Sequence, residues 1–192
     1  MSKGQIIAGR TKNDDVFDLY ETPQQEMQEF LEALKRDNID LEGDILEPCS
    51  GAGAICKVLD KYTYQYRASD IQDEDFIFGD KGVDVFSIEN KSCDILITNP
   101  PYNFVTKNND MINKFLDISK DKVILLLNIF YLSSSKRKEL LKKAPLKYIY
   151  IYSNRLTMFP YGEEKPKNGG TKMFAWYVWE HGYESEPIVR WI

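Results

Sequence analysis

The stretch Asp44–Ile55, DILEPCSGAGAI, decides which fold this chain can adopt. It places a short apolar strand, an acid and two glycines, Gly51 and Gly53, directly before the helical sequence AICKVLDKY. Glycines at such a turn let the backbone approach a ligand closely and leave the N–H groups of the helix start available. A dinucleotide site of the NAD type would need a third glycine where Cys56 stands, so the pattern disfavours NAD.

Strands and helices alternate on both sides of this turn. Residues 22–37, TPQQEMQEFLEALKRD, predict a helix that Thr22 caps and that has one apolar face. Downstream, strands are predicted at YQYRASD, CDILITN, KVILLLNIF, LKYIYIY and KMFAWYVWE, with a short element at GVDVFSI and a helix at SSSKRKELLKKA. This alternation indicates an α/β fold with a mostly parallel central sheet and helices on both faces.

The composition limits the class of protein. With 192 residues, 43% of them hydrophobic, the chain can bury a proper core, and we predict a single domain over 1–192. No apolar run approaches the ~20 residues that cross a bilayer, and no signal peptide is predicted. Three cysteines and one histidine predict neither a disulfide framework nor a metal site, and they favour a reducing, cytoplasmic environment.

Charge is distributed unevenly along the chain. Residues 1–100 carry 10 Lys and Arg against 21 Asp and Glu, whereas residues 101–192 carry 15 against 9. Lysines concentrate in SKRKELLKK and in the segment 153–171, SNRLTMFPYGEEKPKNGGT, which is predicted to be a long loop. A lysine-rich face is usually only solvated; the alternative is a surface that faces phosphates. Long loops are often binding loops, so we expect this one, with Lys165 and Lys167, to contact substrate.

Acidic residues follow the glycine turn in an order that suits a nucleoside. Asp70 ends the next strand, where a carboxylate can accept hydrogen bonds from both ribose hydroxyls. Ile71 comes directly after it and can pack against a flat ring, and Asp84 follows in GVDVF. Each acid taken alone would more often be an exposed turn carboxylate. Their order and spacing together favour a binding site.

The segment Ile97–Phe104, ITNPPYNF, ends an apolar strand with an unusual set of residues. A planar NH2 group is a poor nucleophile, because its lone pair is delocalised. The side-chain oxygen of Asn99 and the backbone carbonyl of Pro100 can accept its two hydrogens, and the rigid pair of prolines fixes the direction of that carbonyl. Tyr102 can stack on a flat substrate. The segment therefore predicts a site that orients a planar NH2 group for reaction.

Together these motifs resemble those of the S-adenosylmethionine (SAM)-dependent methyltransferases. E-P-x-x-G-x-G, residues 47–53, looks like their first motif, and residues 99–102 match the [D/N/S]-P-P-[Y/F/W] motif of amino-methyltransferases. The sequence resembles the N6-adenine DNA methyltransferases in particular, including small phage-type enzymes, over most of its length. This implies a class I, Rossmann-like methyltransferase fold with KMFAWYVWE as an antiparallel last strand.

The resemblance also implies a role for individual residues. SAM would be the cofactor, with Glu47 near its methionine ammonium and Asp84 on its adenine amine. The segment YETPQ resembles the motif that contacts the methionine carboxylate. The implied cofactor-binding residues are Tyr20, Thr22, Pro23, Glu47, Pro48, Gly51, Gly53, Asp70, Ile71, Asp84 and Asn99. The implied catalytic residues are Asn99, Pro100, Pro101 and Tyr102.

The target base would have to be flipped out or already unpaired to reach this site. Tyr102 would stack on one side of it, and the candidates for the opposite side are Phe159, Tyr161 and Phe174. DNA adenine is the leading substrate, and RNA adenine is the second. Full-sized DNA enzymes carry a separate target-recognition domain that has no counterpart here. Recognition would therefore fall to the 153–171 loop and the lysine helix, or to a partner subunit or homodimer.

Two further alternatives stay open at this point. Protein glutamine methyltransferases also carry NPPY, although usually with an additional N-terminal helical region. An inactive SAM-binding partner subunit is the alternative from another class, and the intact Asn99 and Tyr102 argue against it. Restriction–modification, phage protection and regulation would all use the same residues, so the sequence does not distinguish these biological roles.

Overall fold

A central sheet of seven strands organises the part of the chain that the computed structural model describes, residues 19–107, 110–154, 156–162 and 172–192. The strands are β1 Tyr20–Glu21, β2 Ile45–Glu47, β3 Tyr66–Ala68, β4 Cys93–Thr98, β5 Ser119–Asn128, β6 Leu146–Ile151, β7 Phe159–Pro160, β8 Phe174–Glu180 and β9 Ile188–Trp191. The helices are α1 Gln24–Arg36, α2 Ala54–Lys61, α3 Tyr102–Lys107, α4 Asp110–Ile118 and α5 Lys138–Lys143. None of the helices in these described ranges is long and apolar enough to cross a membrane.

The sheet has the strand order β3-β2-β4-β5-β8-β6-β9. Its strands run parallel to one another except β8, which pairs antiparallel with both β5 and β6. The predicted α/β fold with a mostly parallel sheet and an antiparallel KMFAWYVWE strand is therefore confirmed. That strand is not the last one, because β9 follows it and adds to the edge of the sheet beside β6.

Alternating side chains of the strands supply two cores, one on each face of the sheet. On one face, α1 and α2 pack against inward residues such as Ile95, Ile97 and Trp176. On the other face, α4 packs against Leu96 and Leu125. Continuous apolar strands are the pattern expected when both faces are covered. The arrangement confirms that helices lie on both faces.

Two local predictions are wrong in detail, those for Thr22 and for the segment 153–171, and the structure also defines the short GVDVFSI element. The N-cap of α1 is Pro23 rather than Thr22, and no side chain caps this helix; Thr22 is buried instead. The GVDVFSI element is a short 3-10 turn, Val85–Ser87, because Asp84 caps it by accepting a hydrogen bond from the backbone N–H of Phe86. The segment 153–171 is not wholly irregular, since β7 lies within it and pairs with β1; residues 155 and 163–171 lie outside the described residues.

The chain order places a switch point at β2. From β2 the chain crosses through α2 to β3 on one side, whereas β4 lies on the other side. In open parallel sheets, ligands bind outside the carboxyl ends of strands at such a point. The residues at and just after the carboxyl ends of β2, β3 and β4 therefore meet at one edge, and these include Glu47, Asp70 and Asn99.

Candidate active site

A cleft of about 270 Å³ opens at this edge of the sheet. Its walls come from the glycine turn after β2, the loop after β3, the end of β4 and the chain just before α1. It is lined by Tyr20, Thr22, Glu47, Pro48, Gly51, Asp70, Ile71, Asp84, Asn99 and Pro101 among the residues predicted for the site. Segments far apart in the sequence therefore converge on one cleft, although no single motif spans it.

The glycine turn is built around two left-handed residues. Gly51 has φ +49°, and a Cβ there would lie 2.7 Å from Cδ1 of Leu19, which also lines the cleft. Gly53 has φ +75°, and a Cβ there would lie 2.6 Å from Cγ of Phe78. Gly53 starts α2 and does not line the cleft, so its requirement for glycine comes from the backbone and from Phe78.

Asp70 ties the turn after β2 to the loop after β3. Its side chain is 4% exposed, and Oδ2 accepts a hydrogen bond from the N–H of Gly51 at 2.9 Å. Oδ1 accepts another from the N–H of Gln72 at 2.9 Å. A carboxylate offers about four acceptor positions, so each oxygen keeps capacity for a ligand hydroxyl. Ile71, 42% exposed, lines the cleft beside it.

Glu47 is an unusual acid because it is buried and only partly paired. The residue is 1% exposed, and Oε1 accepts a hydrogen bond from Oγ1 of Thr98 at 2.6 Å. Oε2 is buried and makes no hydrogen bond of ordinary geometry with the described residues. Burial raises the pKa of Glu47 well above its usual range. The Thr98 hydroxyl and the backbone N–H of Asn99 oppose this rise, and the negative charge of Asp70 adds to it. This wall therefore favours a positively charged ligand group.

The chain before α1 forms a wall of the cleft through pairing with a distant segment. Tyr20 pairs with Pro160 and Glu21 with Phe159 in the small β1–β7 sheet. The N–H of Tyr161 donates to the carbonyl of Leu19 at 3.0 Å, and the Tyr161 ring stacks on Phe76 at 4.6 Å. Pro23, the N-cap of α1, follows this segment and does not line the cleft. Phe159 and Tyr161 thus hold the wall, and neither lines the cleft itself.

The Asn99–Tyr102 corner is held by two side-chain hydrogen bonds. Nδ2 of Asn99 donates to the carbonyl of Tyr20 at 3.2 Å, and the Tyr102 hydroxyl donates to Oδ1 of Asn99 at 2.6 Å. These contacts fix the orientation of the amide and leave Oδ1 with a second lone pair. Pro101 lines the cleft and its carbonyl accepts from the N–H of Phe104 at 3.1 Å, whereas Pro100 is buried.

The expectation that Phe174 sandwiches a substrate base is wrong in this structure. Phe174 is 4% exposed at the start of β8, and its ring lies 5.5 Å from that of Tyr102. It supports Tyr102 from inside the core, because β8 runs directly beside β5. Burial raises the pKa of Tyr102, so this hydroxyl stays protonated as a donor. Lys165 and Lys167, also predicted to contact substrate, lie outside the described residues.

Some residues of the cleft were not predicted. They are Leu19, Glu21, Cys49, Ser50, Phe86, Phe104 and Met111, with several small and apolar neighbours. Cys49 and Ser50 lie within the glycine turn, so that motif already pointed to them. Phe104 and Met111 carry no motif, and only the position of the helices after β4 brings them to the cleft. Burial and the nearby acids raise the pKa of the Cys49 thiol well above its usual value, so it is not a reactive thiolate.

Metal chemistry was not expected from the sequence. Within the described ranges, no group of three or more His, Cys, Asp or Glu side chains has the geometry to hold a metal ion.

Comparison with known proteins identifies the fold. No family model matches the chain, and no curated protein matches it. A solved structure of a proposed RNA methyltransferase from Pyrococcus horikoshii is similar over 85% of this chain and 87% of that one, with 13% identity and a TM-score of 0.63. The type I restriction-modification methyltransferase subunit from Streptococcus thermophilus gives 11% identity and a TM-score of 0.60 over 88% of this chain. This chain spans only 46% of that subunit.

A third similar structure contains a ligand. Magnesium protoporphyrin IX methyltransferase from Synechocystis, solved with bound SAM, has 14% identity and a TM-score of 0.52 over 81% of this chain and 78% of that chain. At identities this low, the similarity establishes the fold alone. The chain has the Rossmann-like fold of the class I SAM-dependent methyltransferases.

Proposed function

We propose that this chain binds SAM in the cleft and transfers its methyl group to the N6 amine of adenine in DNA. The observation that supports this most is the position of Asn99, which directly follows β4 and lines the same cleft as Glu47 and Asp70. An amine held by Asn99 would therefore lie next to a ligand held by the two acids. This is the arrangement that transfer between two bound groups requires.

The residues of the cleft fit SAM. Its methionine ammonium would complement Glu47, whose buried Oε2 has no ordinary hydrogen bond from the described residues. The oxygens of Asp70 retain acceptor capacity for ribose hydroxyls. Ile71 and Asp84 line the same cleft and would contact the adenine. Four acidic residues and no lysine or arginine line the described part of the cleft. A neighbour of the same fold was solved with SAM bound.

When bound, SAM supplies a methyl group made electrophilic by its sulfonium. Asn99 would orient the acceptor amine, because Oδ1 keeps one lone pair beside the bond from Tyr102. The Pro100 carbonyl would accept the second hydrogen of that amine. No strong general base is needed, since the proton becomes acidic once the nitrogen carries positive charge. The chain thus contributes orientation and charge complementarity rather than covalent chemistry.

DNA adenine is the proposed substrate, and RNA adenine is the second candidate. The restriction-modification subunit among the similar structures favours DNA. The similar Pyrococcus horikoshii protein, described as an RNA methyltransferase, favours RNA. In either case the base must be unpaired or flipped to reach Asn99. A partner subunit or a second copy of the chain would be one way to add sequence specificity.

The proposal is tested by incubating the purified protein with labelled SAM and unmethylated DNA, RNA or protein in separate reactions. Mass spectrometry of the digested nucleic acid should identify N6-methyladenine in DNA, and the Asn99→Ala variant should produce none above background. Label only in RNA would favour the second candidate. Label only in protein would exclude both, and label in no substrate would favour an inactive SAM-binding subunit.

A further inference from the structure

A second cavity shares a wall with the candidate active site. Asn99 lines the first cleft, and its hydrogen-bond partner Tyr102 lines the second cavity, which has a volume of about 220 Å³. The other walls come from the end of β5 and the turn after it, with Lys172 from the start of the chain segment that leads into β8. The polar and aromatic residues that line it are Tyr102, Asn128, Phe130, Tyr131, Arg137 and Lys172.

Phe130 is the most exposed large apolar side chain around either cavity, with 68% of its surface accessible. It follows β5, the strand next to β4, so it lies at the same sheet edge as the Asn99–Tyr102 corner. Core packing does not account for a phenylalanine this exposed. Because the ring lines the cavity and is exposed, it is available to stack on a flat ligand that enters there.

The turn that carries Phe130 is held in place by its neighbours. The N–H of Phe130 donates to Oδ1 of Asn128 at 2.9 Å, and the N–H of Ser133 donates to the Phe130 carbonyl at 3.0 Å. The N–H of Ile129 donates to the carbonyl of Met173 at 2.8 Å. The ring is therefore presented by a pre-organised backbone, which lowers the entropy cost of binding a partner.

Two cations accompany these rings. Nε of Arg137 donates to the carbonyl of Tyr131 at 2.9 Å, and its guanidinium carbon lies 4.5 Å from the centre of the Tyr131 ring. Lys172 is exposed at the rim. No acidic residue lines the described part of this cavity. Flat aromatic faces together with cations and no acids match the chemistry of a single-stranded nucleic acid, in which bases stack and phosphates carry negative charge.

We infer that the second cavity receives an unpaired nucleobase of the substrate and that Phe130 stacks on it, with Arg137 and Lys172 beside the phosphates. This inference rests on the proposed nucleic-acid substrate and adds a contact on the side of Tyr102 opposite the cofactor. Phe130 is assigned here to substrate binding and not to the cofactor. If an unpaired base occupies this cavity, the protein should bind single-stranded nucleic acid more tightly than fully paired nucleic acid.

The test measures binding of a single-stranded oligonucleotide that contains the fluorescent base 2-aminopurine. Stacking on an aromatic side chain contributes enough that Phe130→Ala should weaken binding by roughly 5- to 150-fold. Phe130→Trp, which keeps an aromatic face, should stay within a few-fold of wild type. Trp191→Ala is the matched control, because Trp191 is 64% exposed on β9 at the far edge of the sheet. SAM affinity, measured by calorimetry, should be unchanged in all three variants.

The outcomes separate this inference from the proposed function. If the wild type methylates adenine and Phe130→Ala binds the oligonucleotide as tightly as the wild type, the stacking role is wrong while the function stands. A Phe130→Trp variant as weak as Phe130→Ala would also contradict stacking. If the wild type binds no oligonucleotide and labels only protein, both are wrong, and Phe130 would then belong to a protein-docking surface. Matching thermal melts of the variants would show that each is folded.

Discussion

The two cavities that meet at the Asn99–Tyr102 hydrogen bond differ in charge and in origin. The first cleft is lined by Glu21, Glu47, Asp70 and Asp84 and by no lysine or arginine among the described residues. The second is lined by aromatic rings, Arg137 and Lys172, with no acid from the described chain. The contrast follows the sequence, in which residues 1–100 are acidic and residues 101–192 are basic.

This difference in charge indicates how a single chain could bind two different ligands at separate places. A positively charged, hydroxyl-rich molecule is favoured on the acidic side, whereas a phosphate-bearing one is repelled from it. The opposite holds on the basic side. The hydrogen bond from Tyr102 to Asn99 joins the linings of the two cavities, and the reacting atoms would meet there. Substitutions on either side of that bond should therefore separate cofactor binding from turnover.

Substitution of Asn99 tests the point at which the two cavities meet, and it should have the largest effect on turnover. We expect Asn99→Ala to lower turnover by roughly 100-fold or more, because an acceptor amine that is no longer oriented loses its in-line geometry. SAM affinity should change little. Steady-state kinetics and calorimetry provide the two measurements, and Asn113→Ala, an exposed asparagine on α4, is the control. Near-normal turnover of Asn99→Ala would remove Asn99 from the catalytic step.

Substitution of Asp70 tests ligand binding in the first cleft without changing the second cavity. Asp70→Ala should weaken SAM binding by about 1.5–3 kcal/mol, the range for hydrogen bonds to a charged group, and should leave oligonucleotide binding intact. Because Asp70 also accepts from the N–H of Gly51, a thermal melt must accompany the calorimetry. Asp73→Ala, an exposed acid in the same loop, is the control. Unchanged SAM affinity in a folded variant would place Asp70 outside the cofactor site.

Glu47→Gln tests whether the buried carboxyl group of Glu47 lowers the free energy of unfolding when no ligand is bound. Burial raises the pKa of Glu47 in the folded protein above its unfolded value near 4.5, so the folded state holds this proton more tightly. Stability of the wild type should therefore fall as the pH rises above 4.5. The variant should lack this loss, so its stability relative to the wild type should rise between pH 4 and pH 8, while it gains less stability from added SAM.

Denaturant unfolding at pH 4 and pH 8, with and without SAM, measures both effects of Glu47→Gln. Glu42→Gln, which changes an exposed acid just before β2, is the control. A wild type that loses no stability relative to Glu47→Gln between these pH values would show that the buried carboxyl imposes no such cost.

Tyr102→Phe should have the smallest effect on catalysis, because it removes only the hydroxyl group that donates to Oδ1 of Asn99. Loss of one hydrogen bond of about 0.5–1.5 kcal/mol should lower kcat/KM by roughly 2- to 13-fold, since Asn99 would then be held by Tyr20 alone. The ring and its packing on Phe174 stay in place. Tyr64→Phe, which changes a tyrosine packed beside Tyr62 and away from both cavities, is the control. Kinetics identical to wild type would show that the hydroxyl does not position Asn99.

The acidic side could be predicted from the sequence because its geometry is local. A strand, a tight glycine turn and a helix fix where Glu47 and Gly51 lie, and the parallel strands carry Asp70 and Asn99 to the same edge. Short motifs encode such arrangements, since few residue types tolerate the backbone that they need. The roles assigned to these residues remain proposals, but their convergence on one cleft followed from the pattern.

The basic side could not be predicted in the same way, because it is assembled by tertiary contacts. Phe130 stands beside Tyr102 only because β5 pairs with β4, and Phe174 is buried only because β8 inserts between β5 and β6. Thr22 matched a capping residue by propensity, yet the helix begins one residue later, with Thr22 in the wall of the cleft. Tertiary packing overrides local preference at each of these positions.

The pairing of β1 with β7 has a consequence for how the protein acquires its activity. Residues 20 and 160 must come together before Tyr20 can accept the hydrogen bond from Asn99, and contacts between such distant residues are slow to form. The wall of the cleft is thus completed only after a ribosome has synthesised the chain beyond residue 160. The cleft would therefore bind a ligand tightly only after this long-range contact has formed. A truncated variant that begins at α1 would keep the central sheet but bind the ligand more weakly.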